Sequence, residues 1–178
     1  HIKNIEPEDL LGRDLASLDQ SLMQDKLLGK VVMITGAGGS IGSELCIQIA
    51  KSNPQKIILL EQSEISLYTI NLTLRRQFPA VDVIPKLGDV SNSVCIEAIM
   101  SKYTPDVVFH AAAYKHVPLV ESNPDEAVNT NVRGTHNVAY LAAKYNVSRF
   151  VFISTDKAVN PTNIMGATKR AAEIACQI

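Results

Sequence analysis

The stretch from Lys30 to Ser43, KVVMITGAGGSIGS, limits what the rest of the chain can fold into. Val31 to Ile34 is an apolar run of the kind required by a parallel strand buried on both faces. It runs into Gly36, Gly39 and Gly42, one glycine at every third position, and then into Ile41, Leu45 and Ile49 at helical spacing. Strand, glycine turn and helix start together make a phosphate site. Glycines let the backbone approach a pyrophosphate closely, and the helix N-terminus around Ser40 and Ile41 offers free N–H groups and a positive dipole end. A glycine triplet alone marks a turn; with the flanking strand and helix it reads as dinucleotide binding.

At 178 residues and 46% hydrophobic content, the chain can build one domain with a real core. A net charge of −1 gives no electrostatic case for nucleic acid or an anionic membrane surface. No apolar run approaches bilayer length and no signal peptide opens the chain, so a cytoplasmic setting is expected for this stretch. Cys46, Cys95 and Cys176 have no CxxC spacing and read as reduced thiols. His1 in place of an initiating Met suggests a piece of a longer protein.

Residues 1–29 read as a lead-in or linker, in which Leu15, Leu18, Leu22 and Leu27 allow one or two short helical turns; residues 30–178 form the dinucleotide-binding domain. The first helix should end at Asn53-Pro54. Lys56 to Leu60 is a second buried strand ending at Glu61, about 20 residues past the glycine turn. A carboxylate there either bonds the adenosine ribose diol, favouring NAD over NADP, or is an ordinary acid at a strand end. Ile65, Tyr68 and Leu72 share one face of the next helix. Val81 to Leu87 leads into Gly88-Asp89-Val90, and Pro85 places that strand near the sheet edge. Ser91 to Ser93 can cap a helix that Thr104-Pro105 stops. Asp106 to His110 is the fourth strand, and Ala111, Ala112 and Ala113 after it leave room for a flat ligand. Pro124 is predicted to open a long helix reaching about Asn146. Asn131 inside it is either a structural link to a strand carbonyl or a site residue. Phe150 to Ile153 is the fifth strand, and a last helix starts at Asn163. The alternation predicts an α/β fold, a Rossmann-like, doubly wound parallel sheet that stops before its last strands.

Ligands of such sheets lie at the carboxyl ends of the strands. Those ends carry Thr35-Gly36, Glu61, Asp89, His110 to His116 and Ser154 to Lys157. Met165 and Lys169, four apart, share a helix face looking back at that edge. Asp156 beside Lys157 supplies one group to donate a proton and one to accept it, or else is a solvated ion pair. His110 and His116 have no third ligand at metal spacing, so no metal is expected. There is no GxSxG elbow, and the glycine loop lacks GK[ST].

These residues carry a resemblance. Gly36-x-x-Gly39-x-x-Gly42, Asp89-Val90, the Ala-rich strand end and Lys169 resemble the extended short-chain dehydrogenases. HAAAYKHVPLVESNP (His110 to Pro124), TNVRGT (Thr130 to Thr135) and STDKAVNPTNIMGATKR (Ser154 to Arg170) are similar to the nucleotide-sugar 4,6-dehydratases of bacterial polysaccharide and glycan synthesis, whose usual substrate is UDP-N-acetylglucosamine. The likeness runs from about residue 8 to 178. The wider superfamily has tyrosine where this chain has Met165. A long, membrane-anchored branch of the dehydratases shares the methionine, and DLLGRDLASLD (Asp9 to Asp19) is similar to that branch's linker.

The resemblance implies a redox-neutral reaction: oxidation at sugar carbon 4 by NAD, loss of water across carbons 5 and 6, and hydride return to carbon 6. It implies Asp156 as the acid at the departing hydroxyl, Lys157 as the base at carbon 5, and Thr155 on the sugar's 4-oxygen. Lys169 would hold the nicotinamide ribose. The cofactor set is Gly36, Gly39, Ser40, Ile41, Gly42, Glu61, Asp89, Val90, Ala111, Ala112, Ala113 and Lys169. Lys115, His116, Asn131 and Thr155 would face the UDP-sugar. A homo-oligomer is expected, with any membrane contact made by a region outside this chain. Because Met165 cannot take a proton, the base for the 4-hydroxyl stays open among Lys157, a water and Tyr114. A nucleotide-sugar epimerase shares the first hydride step, and a non-catalytic NAD-binding module is the reading from a different class.

Overall fold

The computed structural model describes residues 20–177. Most of the lead-in, including the Asp9 to Asp19 likeness, lies outside the described residues. Helix α1 (Gln20–Leu27) is its visible end, with Leu27 buried in the core.

Strands β1 (Val31–Thr35), β2 (Lys56–Glu61), β3 (Asp82–Leu87), β4 (Val107–His110) and β5 (Arg149–Phe152) form one sheet in the order β3-β2-β1-β4-β5. Every pairing is parallel. Side chains alternate between two apolar layers, as strand geometry dictates. Val32, Ile34, Ile57 and Leu59 meet helices α2 (Ser40–Ala50) and α3 (Glu64–Gln77) on one face. Met33, Ile58, Leu60 and Val108 meet α4 (Ser93–Tyr103) and α7 (Thr135–Lys144) on the other. Each fully buried Ile or Leu of this kind stabilises the fold by about 1.5–3 kcal/mol. Pro85 sits on β3, an edge strand, where its missing N–H costs no ladder bond. The first two crossovers leave β1 towards β3, the later ones towards β5. The order therefore switches at β1 and β4, where an open parallel sheet leaves a crevice.

The sheet decides which face of α3 is buried, and one helix expected to be continuous is corrected. The face of α3 carrying Ile65 and Tyr68 points outward, these two being 80% and 66% exposed, while Leu67, Ile70 and Leu74 pack on the sheet. Both sets fall at helical spacing, so periodicity alone could not choose between them. The long helix from Pro124 is also not uniform. A short α5 (Val117–Ser122) precedes it, α6 (Pro124–Ala127) opens it, and residues Val128–Gly134 form a π-helical turn before α7 takes over. Helix α8 (Ile164–Ala175) is capped by Asn163, whose Oδ1 accepts from the Gly166 N–H at 2.8 Å.

Candidate functional site

The glycine turn after β1 is packed to backbone contact. Gly36 has φ +63°, and a Cβ there would stand 2.7 Å from the Ala112 backbone. A Cβ on Gly42 would stand 1.9 Å from the Gly36 carbonyl oxygen, so this glycine lets α2 start directly against the turn. Gly39 differs: its Cβ would meet only the Gly36 oxygen, at 3.3 Å, and its other side is open. No side chain caps α2, so the first-turn N–H groups of Ser40, Ile41 and Gly42 are the donors a helix start leaves free. The hollow in front of this turn has a volume of about 150 Å³, and its lining includes Gly36, Gly39, Glu61, Asp89, Val90 and Ala111 to Ala113. Glu61 accepts from the Gly38 N–H through Oε2 and from the Ser63 N–H through Oε1, both at 2.9 Å. Its carboxylate thus steadies the glycine turn and keeps lone pairs for a further donor.

A second cavity, of about 250 Å³, shares Ala111 and Ala113 with the first and continues it along the sheet edge. It is lined by Ile41, Tyr114, Lys115, Thr155, Lys157, Met165 and Lys169, among others. Lys169 is 6% exposed. Its Nζ donates to the Ile153 carbonyl at 2.7 Å and lies 4.2 Å from the centre of the Phe152 ring. Burial takes the Lys169 amine down to about 8, against smaller upward pulls from Cys176 and Glu173. Met165, one turn earlier, is buried against Val120 and Ala127.

Thr155, Asp156 and Lys157 stand on the loop after β5, where Asp156–Ala158 forms one 3-10 turn. The Thr155 hydroxyl donates to Asp156 Oδ1 at 2.9 Å, and Lys157 Nζ lies 3.5 Å from the same oxygen. The Thr155 hydrogen bond, and then Lys157, hold the Asp156 carboxyl below the usual carboxylate range. In this state Asp156 is an exposed carboxylate, and acid chemistry requires that the Thr155 contact be given up.

One expected substrate contact is corrected. Asn131 is fully buried: Oδ1 accepts from the Tyr114 N–H at 2.8 Å, and Nδ2 donates to the Tyr114 carbonyl and to Thr168 Oγ1, each at 3.0 Å. It ties the π-helical turn to the Tyr114 loop and α8, and leaves no surface for a sugar. His116 lines a neighbouring hollow with Leu119 and Asn123, and this hollow shares Tyr114 and Lys115 with the cavity that Lys169 lines. Lys115 does face the cavity, with Nζ 3.5 Å from Ser40 Oγ, bridging the β4 loop to the glycine turn.

Sequence reasoning missed a buried relay beneath these groups. His110, fully buried, meets Thr35 Oγ1 through Nδ1 at 2.6 Å and Thr135 Oγ1 through Nε2 at 2.9 Å. Thr135 donates to the Asn131 carbonyl at 2.6 Å, so it must accept from His110; this assigns the neutral Nε2–H tautomer. Burial, and then the charge of Lys169, push His110 down to about 3. The signal available was a histidine at the end of an apolar strand, but its threonine partners lie on distant segments. The Phe152 ring under Lys169 had no sequence signal.

The sequence profile of the polysaccharide biosynthesis protein family matches residues 32–178. The chain belongs to that family. Within it, the chain is 51% identical over 178 residues to the capsular polysaccharide biosynthesis protein CapD of Staphylococcus aureus, covering 99% of this chain and 30% of CapD. It is 35% identical over 150 residues to a UDP-N-acetylglucosamine 4,6-dehydratase (inverting) of Campylobacter jejuni, covering 82% of this chain and 42% of that protein. A UDP-glucose 4-epimerase of Rickettsia canadensis is 38% identical over 148 residues, covering 81% and 42%. The solved structure of Pen from Bacillus thuringiensis superposes with a TM-score of 0.76 at 34% identity, over 84% of this chain and 44% of that one. The chain thus spans less than half the length of each of these proteins.

Proposed function

We propose that the protein is an NAD-dependent nucleotide-sugar 4,6-dehydratase of polysaccharide or glycan biosynthesis, acting on UDP-N-acetylglucosamine. One juxtaposition carries the reading. Thr155, Asp156 and Lys157 stand on the loop at one wall of the cavity that Lys169 lines, and that cavity continues into the glycine-turn hollow. The open side of Gly39 and the free N–H groups of Ser40, Ile41 and Gly42 suit a pyrophosphate. Glu61 suits the adenosine ribose, Asp89 and Val90 the adenine side, Ala111 to Ala113 the flat length of the dinucleotide, and Lys169 the nicotinamide ribose. When bound, NAD supplies reversible hydride acceptance.

The chain's own residues would do the rest. Thr155 turns its hydroxyl to the sugar's 4-oxygen. It cannot then also donate to Asp156, which loses the contact that most depresses its carboxyl and rises towards a proton donor for the departing 6-hydroxyl. Lys157 takes the carbon-5 proton, made acidic by the neighbouring ketone, and returns it to the same carbon. Lys115 and the Tyr114 loop, fixed by Asn131, stand over the diphosphate end. The epimerase relative keeps a second reading open, since epimerases share the first step.

Mass spectrometry of the product formed from UDP-N-acetylglucosamine by the protein at the full length of its relatives separates the two. A dehydratase product has lost one water; an epimer keeps its mass. Asp156→Asn and Lys157→Ala are each expected to lower water loss by about 10²–10⁴-fold while NAD affinity stays unchanged. Full activity in either variant would overturn the assignment of acid and base.

A further inference from the structure

The proposed reaction leaves one proton unassigned. Oxidising a sugar alcohol at carbon 4 takes a hydride from carbon and a proton from oxygen, and the Met165 thioether has no lone pair basic enough to accept it. The groups facing the cavity can be compared one by one. Tyr114 is 38% exposed on a loop, and its hydroxyl oxygen accepts from Gln62 Nε2 at 3.4 Å. Lys115 is exposed and reaches towards Ser40. The Lys157 side chain is 54% exposed and turned to Asp156. Thr155 donates to Asp156.

Lys169 stands apart from all four. Its amine is enclosed, with one carbonyl at 2.7 Å and an aromatic face at 4.2 Å behind it, and the cavity in front. The charged and titratable groups around it are His110 from β4, Glu173 from its own helix, Cys176 just past that helix, and Tyr114, Lys115 and Lys157 across the cavity. His110 is kept neutral by burial, and Glu173 is engaged by Ser154 Oγ and Arg170. Met165, packed on Val120 and Ala127 one turn before Lys169, lines the same cavity and presents no polar atom to it. A polar side chain at position 165 would bring water to the amine; methionine keeps water away. Burial of this kind disfavours the ammonium form and brings a lysine towards the range where a free amine is present near neutrality.

We propose that Lys169 is the base that removes the proton of the sugar's 4-hydroxyl, the side chain at position 165 serving to keep its amine dry. This rests on the nucleotide-sugar reading, but only on the oxidation step that dehydratase and epimerase share. In that step the O–H bond breaks and its proton joins the lone pair of Lys169 Nζ. The oxygen's electron pair forms the carbonyl as the carbon-4 C–H bond breaks, and that bond's electron pair leaves as hydride to the nicotinamide of a bound dinucleotide, which is reduced. The new ammonium is received by the Ile153 carbonyl and the Phe152 face already in place. In a dehydratase the proton gained by Lys169 equals the one Asp156 gives to the departing hydroxyl, so exchange through solvent restores both groups for the next turnover.

The test follows transient nicotinamide reduction in the protein at the full length of its relatives, loaded with NAD and mixed with UDP-N-acetylglucosamine between pH 6 and 10. It is paired with ¹³Cε-lysine NMR titration of the same holoenzyme. The wild type is expected to lose about tenfold in oxidation rate per pH unit below a limb near 8, and one lysine resonance, absent in Lys169→Arg, should titrate at that limb. Lys169→Arg keeps a cation for the ribose but cannot accept a proton. It should bind NAD within about threefold of wild type while oxidation falls by about 10²–10⁴-fold. A Lys169→Arg rate equal to wild type, or a Lys169 resonance titrating only with the exposed lysines, overturns the assignment. Transient reduction with the expected limb but no water lost from the product leaves Lys169 as the base and overturns the dehydratase reading instead.

Discussion

Lys169 and His110 show what burying an ionisable residue under a site does to the molecule that carries it. His110 is held neutral and fully hydrogen-bonded, so it serves as a fixed strut between β1 and the start of α7. Lys169 is another matter, because its amine is needed where it is least comfortable. Its value falls from the ordinary 10.5 to about 8 on folding. A depressed lysine binds its proton less tightly when folded than when unfolded. The stability linked to it is therefore complete only above about pH 10.5, is lost as pH falls towards 8, and stays lost at neutrality. Lys169→Met is accordingly expected to be more stable than wild type at pH 7, by about 2–3 kcal/mol, with the gap closing between pH 8 and 10.5. Urea unfolding at pH 7 and pH 10 measures it; an equal or lower stability of the variant at pH 7 would show that the ammonium is not strained by its site. The pKa of Lys169 could not be read from the sequence. Met165 and Lys169 were legible as one helix face, but the Ile153 carbonyl and Phe152 ring that surround the amine come from a strand whose approach only the fold decides.

At the scale of elements, the glycine turn was legible in nearly every part, because its constraints are local. A strand must end, a helix must begin, and only glycine fits where backbones touch. The three glycines nevertheless do different things. Gly42→Ala would force a Cβ to within 1.9 Å of the Gly36 oxygen, with backbone on both sides and nothing flexible to yield. Its expected cost is about 3 kcal/mol or more. Gly39→Ala meets only an oxygen at 3.3 Å and has an ordinary φ of −70°, so stability should stay within about 1 kcal/mol of wild type. Its methyl would stand on the open side of the turn, and NAD affinity should fall by about tenfold or more. Thermal unfolding and NAD titration of the two variants separate these roles; unchanged affinity in Gly39→Ala would move the pyrophosphate off this turn. The π-helical turn was illegible for the opposite reason. Its residues, VNTNVRG, carry no pattern that distinguishes it from an α-helix, since a shift of hydrogen bonds by one residue leaves side-chain types unchanged. Which stripe of α3 meets the sheet was open, because two helical stripes of similar apolarity compete there, and only the sheet chooses between them.

For the whole molecule, alternation of strand and helix was enough to give a parallel sheet, and the order β3-β2-β1-β4-β5 then places the crevice where β1 and β4 part company. The dinucleotide hollow is lined by the glycine turn after β1, the end of β2, the loop after β3, the alanines after β4 and Thr130. The sugar end is less complete. The Asp156 side chain is 88% exposed, and the Lys157 side chain beside it is 54% exposed. Catalysis by acid and base needs those groups held against a substrate that excludes water, whereas dinucleotide binding needs only the turn, the carboxylate and the flat strand ends. The 178-residue chain by itself is therefore expected to bind NAD and to turn over a UDP-sugar poorly or not at all. A ligand that binds only the folded state at a hundred times its dissociation constant adds about 2.7 kcal/mol. For a chain of this size that raises the midpoint of thermal unfolding by about 5–10 °C. NADP should raise it much less, because a 2′-phosphate would meet the Glu61 carboxylate. UDP-N-acetylglucosamine added to the NAD-loaded chain should move the midpoint little. Differential scanning calorimetry with each ligand, alongside product analysis of the same samples, decides the matter. An equal shift with NADP would remove Glu61 from the ribose, and robust water loss from the sugar would mean that the elements described are sufficient to close the site.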